Sequence, residues 1–109
     1  METILKAIQA IVPISHREVK QGTKAPYATY ELSETPIRTK DGIVGYEGVF
    51  AVVIFASTLK EASALTDRVV RAIDNKTFGT RKFYYNDTED EDFPDIGLIG
   101  KSLTFNTLE

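Results

Sequence analysis

The chain has 109 residues, 42% of them apolar and 27% charged, enough for one hydrophobic core and too few for two, so residues 1–109 are read as a single domain. The absence of cysteine excludes a disulfide framework and a thiolate metal site. The net charge of −3 is unevenly spread: six of the sixteen acids fall between Asp87 and Asp95, which leaves the remainder at +3 with no dense basic patch of the kind an electrostatic nucleic-acid site shows.

The amino-terminal segment Met1-Glu2-Thr3-Ile4-Leu5-Lys6 lacks the pattern of a secretory signal, and no apolar run approaches the roughly 20 residues of a membrane-spanning helix. The chain is therefore expected to be soluble and to need no membrane. Ile4, Leu5, Ile8 and Ile11 recur at helical spacing and predict a first helix over Thr3 to Ala10, capped by Thr3 and stopped by Pro13. His16 to Ala25 turns polar around Gly22 and reads as a surface loop. A strand follows from Tyr27 to Ser33, with Ala28, Tyr30 and Leu32 on its inner face, and Thr35-Pro36 is expected to break or bend it. Lys40-Asp41-Gly42 marks a turn, after which Val44 to Ala56 returns as the central strand of a long antiparallel hairpin.

Thr58-Leu59-Lys60-Glu61 has capping-box spacing and should start a second helix. Its apolar stripe is Leu59, Ala62, Leu65, Thr66, Val69, Val70 and Ile73, opposite a charged face. Two further strands, Phe78 to Thr88 and Ile96 to Thr107, flank the acidic segment and Phe93-Pro94. The fold class expected is α+β in the order α-β-β-α-β-β, a mainly antiparallel four-stranded sheet with two helices packed on one face.

Val49 to Ala56 is the stretch with the largest consequence. In a strand, Phe50, Val52, Ile54 and Ala56 point one way and Val49, Ala51, Val53 and Phe55 the other, so both faces are apolar. One long helix can cover only one of them. Leaving Val49, Val53 and Phe55 wet forgoes about 1.5 to 3 kcal/mol per side chain, and a small domain has only about 5 to 15 kcal/mol in total. The second face is therefore expected to meet another subunit.

Signals for catalysis are thin. The single histidine, His16, lies in a polar segment, where a solvated side chain is the expectation. Glycine-rich phosphate loops and the metal-binding helix motif His-Glu-x-x-His are absent. Counted from Asp87, the acidic run has Asp92 and Leu98 where a helix-loop-helix calcium site needs glycine and glutamate, so a solvated loop is the better reading. No enzyme activity, cofactor or metal is expected, although carboxylates that converge only in three dimensions leave no spacing signature. Arg81-Lys82-Phe83-Tyr84-Tyr85 mixes cations with aromatics, the ingredients of a single-strand stacking platform. Period two instead puts Arg81, Phe83 and Tyr85 on one side and Lys82 and Tyr84 on the other, as in an ordinary amphipathic strand. A nucleic-acid-binding module using that face remains the alternative reading, and a small ligand-binding domain a third. Arg17, Lys20 and Lys24 are too sparse to decide between them.

Ala25-Pro26-Tyr27-x-x-Tyr30, Val52-Val53-Ile54-x-Ala56-Ser57, Glu61-Ala62-x-x-Leu65-x-Asp67 and Ser102-Leu103-x-Phe105, in that order, resemble the phage tail-completion proteins, also called tail terminators or head-to-tail joining proteins. The resemblance implies a structural subunit of a phage or prophage that forms a hexameric ring, caps the tail tube and joins it to the head connector. The partners it implies are other copies of the chain, the tail tube protein and the connector protein, with DNA only as passing cargo. The implied location is the virion tail, assembled in the host bacterial cytoplasm. Val49, Val53 and Phe55 on the second face and Pro36, Ile37 and Arg38 near the hairpin tip are the candidate oligomer contacts. Asp87, Glu89, Asp90, Glu91 and Asp92 are the candidate partner or lumen loop, where negative charge would let DNA slide without sticking.

Overall fold

A computed structural model describes residues 2–16, 24–94 and 97–109. The elements run α1 (Glu2–Gln9), β1 (Ile14–His16), β2 (Tyr27–Thr39), β3 (Gly42–Ala56), α2 (Leu59–Ile73), β4 (Lys76–Phe78), β5 (Arg81–Asp90) and β6 (Ile99–Leu108). They form one six-stranded sheet in the order β1-β2-β3-β6-β5-β4. The β1–β2 pair is parallel and the others antiparallel, so the sheet is mixed. The expected four-stranded, mainly antiparallel α+β arrangement is thus overturned: strands dominate the chain, and two extra ones flank the sheet. Both extra strands are three residues long. Such a segment is too short to show a period-two pattern and exists because a longer neighbour offers it unpaired amides.

Other boundaries move for local reasons. Thr3 lies inside α1 and is not its cap. Pro36 does not end β2, which continues to Thr39 with Pro36 opposite Tyr46. Beyond Tyr30 no strand among the described residues pairs with the outer edge of β2, and an edge is where a residue without an N–H is tolerated. His16 sits in β1 with its ring 5.1 Å from that of Tyr30, not in a loop. Of the polar segment, residues 17–23 lie outside the described residues, as do Asp95 and Ile96. Thr58 caps α2 as expected, with Glu61 N donating to Thr58 Oγ1 at 3.2 Å, but the Glu61 carboxylate reaches back one residue further than a capping box requires and accepts from Ser57 N at 3.4 Å. At the other end of α2, Asn75 takes the left-handed conformation at φ 61° and donates its N–H to Phe83 O, turning the chain into β4.

The core lies between the sheet and both helices. Ile4 and Ile8 of α1, Leu65, Val69 and Ile73 of α2, and Phe50, Val52, Ile54, Phe83, Leu103 and Phe105 of the sheet are all buried in it. Leu59, expected in the stripe of α2, is exposed instead. The Phe50 ring is central, with its centroid 5.5 Å from that of Phe83, 5.9 Å from Tyr30 and 6.3 Å from Phe105. Phe50→Ala should cost about 3 to 5 kcal/mol, whereas Val49→Ala, one residue away on the other face, should cost under about 1 kcal/mol. Urea unfolding of the two variants checks the contrast.

Candidate assembly surface

The outer face of the sheet, opposite the helices, follows from strand register, because directly paired residues project to the same side. Phe55 is paired with Tyr27 and Gly100, Val53 with Thr29 and Ser102, Ala51 with Glu31 and Thr104, and Val49 with Ser33 and Asn106. The apolar column of β3 therefore runs between outward residues that are mostly small and polar. Its upper end is covered from within the chain. Tyr27 stacks on Phe55 at 4.9 Å, and Phe93 approaches the same ring at 5.1 Å. Gly100 makes room for this: a Cβ there would meet Glu91 O at 2.1 Å and the Phe93 ring at 3.0 Å. Below Phe55 the cover ends, and Val53 and Ala51 are half-buried while Val49 is 42% exposed.

The β2–β3 hairpin extends past the body of the sheet as an arm. The last partner of β3 on the β6 side is Glu109, which exchanges backbone hydrogen bonds with Tyr46. From residue 37 to residue 45 the two strands pair only with each other among the described residues. A register shift lies between Ile37 and Arg38, and the turn at Gly42 takes φ 116°. Thr39 Oγ1 accepts from Asp41 N at 3.2 Å and so holds the turn. Pro36 and Ile37 are half-buried, Arg38 is exposed, and Ile43 and Val44 are 47% and 63% exposed.

Arg81 braces the root of this arm. Its guanidinium donates to Glu34 of β2 and, at 2.9 Å, to the Glu109 side chain, with only 13% of the arginine side chain exposed. Planar donors suit such a fork between two carboxylates. Gly48, paired with Glu34 on the intervening strand, has no space for a side chain, since a Cβ there would lie 2.2 Å from Ser33 O. The fold divides Arg81 to Tyr85 between the two faces, as period two predicts, and offers no continuous stacking platform. Phe83 is buried in the core, Tyr85 lies on the helix side against Phe105, and only Tyr84, with Lys82 5.3 Å from its ring, remains on the outer face.

The acidic run is divided in the same way and is not a loop over its first half. Asp87, Glu89 and Asp90 belong to β5, opposite Thr104, Ser102 and Lys101. Asp87 and Glu89 project to the outer face, while Asp90 pairs with the Lys101 ammonium on the helix side. Glu91 and Asp92 are exposed in the connection that brings Phe93 back over the sheet. Among the described residues no three potential metal ligands converge, and no helix is long and apolar enough to cross a membrane.

Thus Val49, Val53 and Phe55 share one face, whereas Ile37 and Arg38 lie on the arm and Pro36 at its root, opposite Tyr46. The Arg81 brace and the Phe93 cover were not anticipated. Gly45 and Gly48 inside an apolar strand were the available signals of close backbone approach.

No protein-family model and no curated protein matches the chain. Among solved structures, a chain of the virion of a native gene transfer agent particle superposes with a TM-score of 0.70 at 11% identity, covering 99% of this chain and 84% of that one. The likeness is one of fold. Replacement of Arg81 by Met should speed amide hydrogen exchange in residues 34–48 selectively, leaving α2 protected, as read by exchange mass spectrometry. Equal exchange of residues 34–48 in this variant and the unaltered chain would mean that the brace does not hold the arm.

Proposed function

We propose that this chain is a structural protein of a phage-like particle, and that it forms a ring which ends the tail tube and joins it to the head connector. The observation that carries the reading is the fold shared, over almost the whole chain, with a chain of a gene transfer agent virion. The incompletely covered outer face, with Val49 and Val53 at its centre, and the projecting arm give such a subunit surfaces with which to assemble. A closed ring supplies each copy with two different contacts, one on each side, as a heterologous interface requires. The tail tube and connector proteins are the further partners in this reading, and DNA passes through without being read. The site of action is the tail of the particle, assembled in the cytoplasm of the bacterial host.

The test is assembly with the tube. The purified chain, mixed with the tail tube protein of the particle it belongs to, should yield tubes closed at one end by a six-subunit ring in negative-stain images. Cells that make the particle without this chain should accumulate tubes of uncontrolled length that carry no heads. Normal tubes with heads in its absence would sink the proposal.

A further inference from the structure

We infer that the outer sheet face of one copy is the receptor for the β2–β3 arm of the next copy, an inference that rests on the head-to-tail assembly proposed above and names its contact. The arm supplies the first ground. A two-stranded ribbon is marginal in water on its own, and this one exposes Ile43 and Val44 at its end. The arm continues the strands of its own sheet, in a molecule 51 Å long and 24 Å across. Its own chain leaves Ile43 and Val44 exposed among the described residues, so a surface that covers them belongs to another molecule.

The face supplies the second. Val49, Ala51 and Val53 form an apolar floor, and Ser33, Thr29, Ser102 and Thr104 beside them are short. A strand ribbon laid along this trough would cover the floor with Glu31, opposite Ala51, as the long side chain at its margin.

Charge selects the partner. By register the outer face presents Glu31, Glu47, Asp87 and Glu89 against a single cation among the described residues, Lys82. The tip of the arm carries Arg38 and Lys40 against Asp41. Tip and face are thus opposite in sign, which favours and orients their encounter. The same charges disfavour the other self-pairing, outer face against outer face, since that would place four acids over four acids. A contact between two different patches of one molecule propagates from copy to copy and closes only as a ring.

The experiment uses two full-length variants, both checked for native folding by circular dichroism and urea midpoint. One reverses the arm (Arg38→Glu with Lys40→Glu), and the other reverses the face (Glu47→Lys with Glu89→Lys). In sedimentation velocity the unaltered chain should form species larger than a dimer, and each variant should remain monomeric. An equimolar mixture should recover assembly as alternating copies, because the unaltered arm meets the unaltered face and the reversed arm meets the reversed face. The chain carrying all four changes should recover assembly. An arm variant that assembles like the unaltered chain, a mixture that stays monomeric, or an unaltered chain that is monomeric at millimolar concentration would overturn the inference. Assembly through this contact by a chain that leaves tail length unaffected would support the contact and remove the tail reading. Rings on tail tubes formed equally well by both variants would do the reverse.

Discussion

Phe50 and Val49 are neighbours in the chain and face opposite solvents, and much of the structure depends on that alternation along β3. On the helix side, Phe50, Val52, Ile54 and Ala56 are fully buried, and the Phe50 ring joins β2, β5 and β6 through aromatic contacts at about van der Waals range. The central position of β3 between β2 and β6 then fixes register on both sides. A slip of one residue would carry the whole buried set to the outer face. The two helices follow from this, because α2 presents Ala62, Leu65, Val69 and Ile73 to a surface already defined.

The outer column meets a different fate at each level. Phe55 is covered by Tyr27 and Phe93 of the same chain, so the apolar excess of β3 is smaller than its sequence suggests. Val53 and Ala51 are half-buried, and only Val49 stands well exposed. What remains is a modest trough and not a second core face. Surfaces of this kind suit a contact between folded subunits, where shape and charge select the partner and a few apolar side chains supply the gain.

Arg81 braces the arm from the helix side of the sheet. Ion pairs on a surface contribute little to stability, but a largely covered guanidinium held by carboxylates from β2 and from residue 109 fixes a direction, because its donors form a rigid fork. The arm itself continues β2 and β3 beyond the body. The brace therefore decides where Arg38, Lys40, Ile43 and Val44 are presented, which matters more for a subunit that must meet a neighbour at a set angle than for the stability of the fold.

By itself, the sequence determined the elements whose pattern is long enough to read. The two-faced strand, the Thr58 to Glu61 cap, the stripe of α2 and the hairpin turn at Gly42 all rest on local chemistry, and their side chains settle them without reference to distant residues. The division of Arg81 to Tyr85 between two faces follows from period two in the same way. Only the tertiary structure decided the rest. The three-residue strands β1 and β4 exist because β2 and β5 offer them unpaired amides, and Pro36 stays in β2 at an edge where no described residue pairs with it from outside. Phe93 covers Phe55 across a turn that nothing in its spacing announces, and Arg81 finds carboxylates 47 and 28 residues away. A period is a property of one segment, whereas pairing at an edge, cover over a ring and an ion pair between strands depend on which segments the core has already brought together.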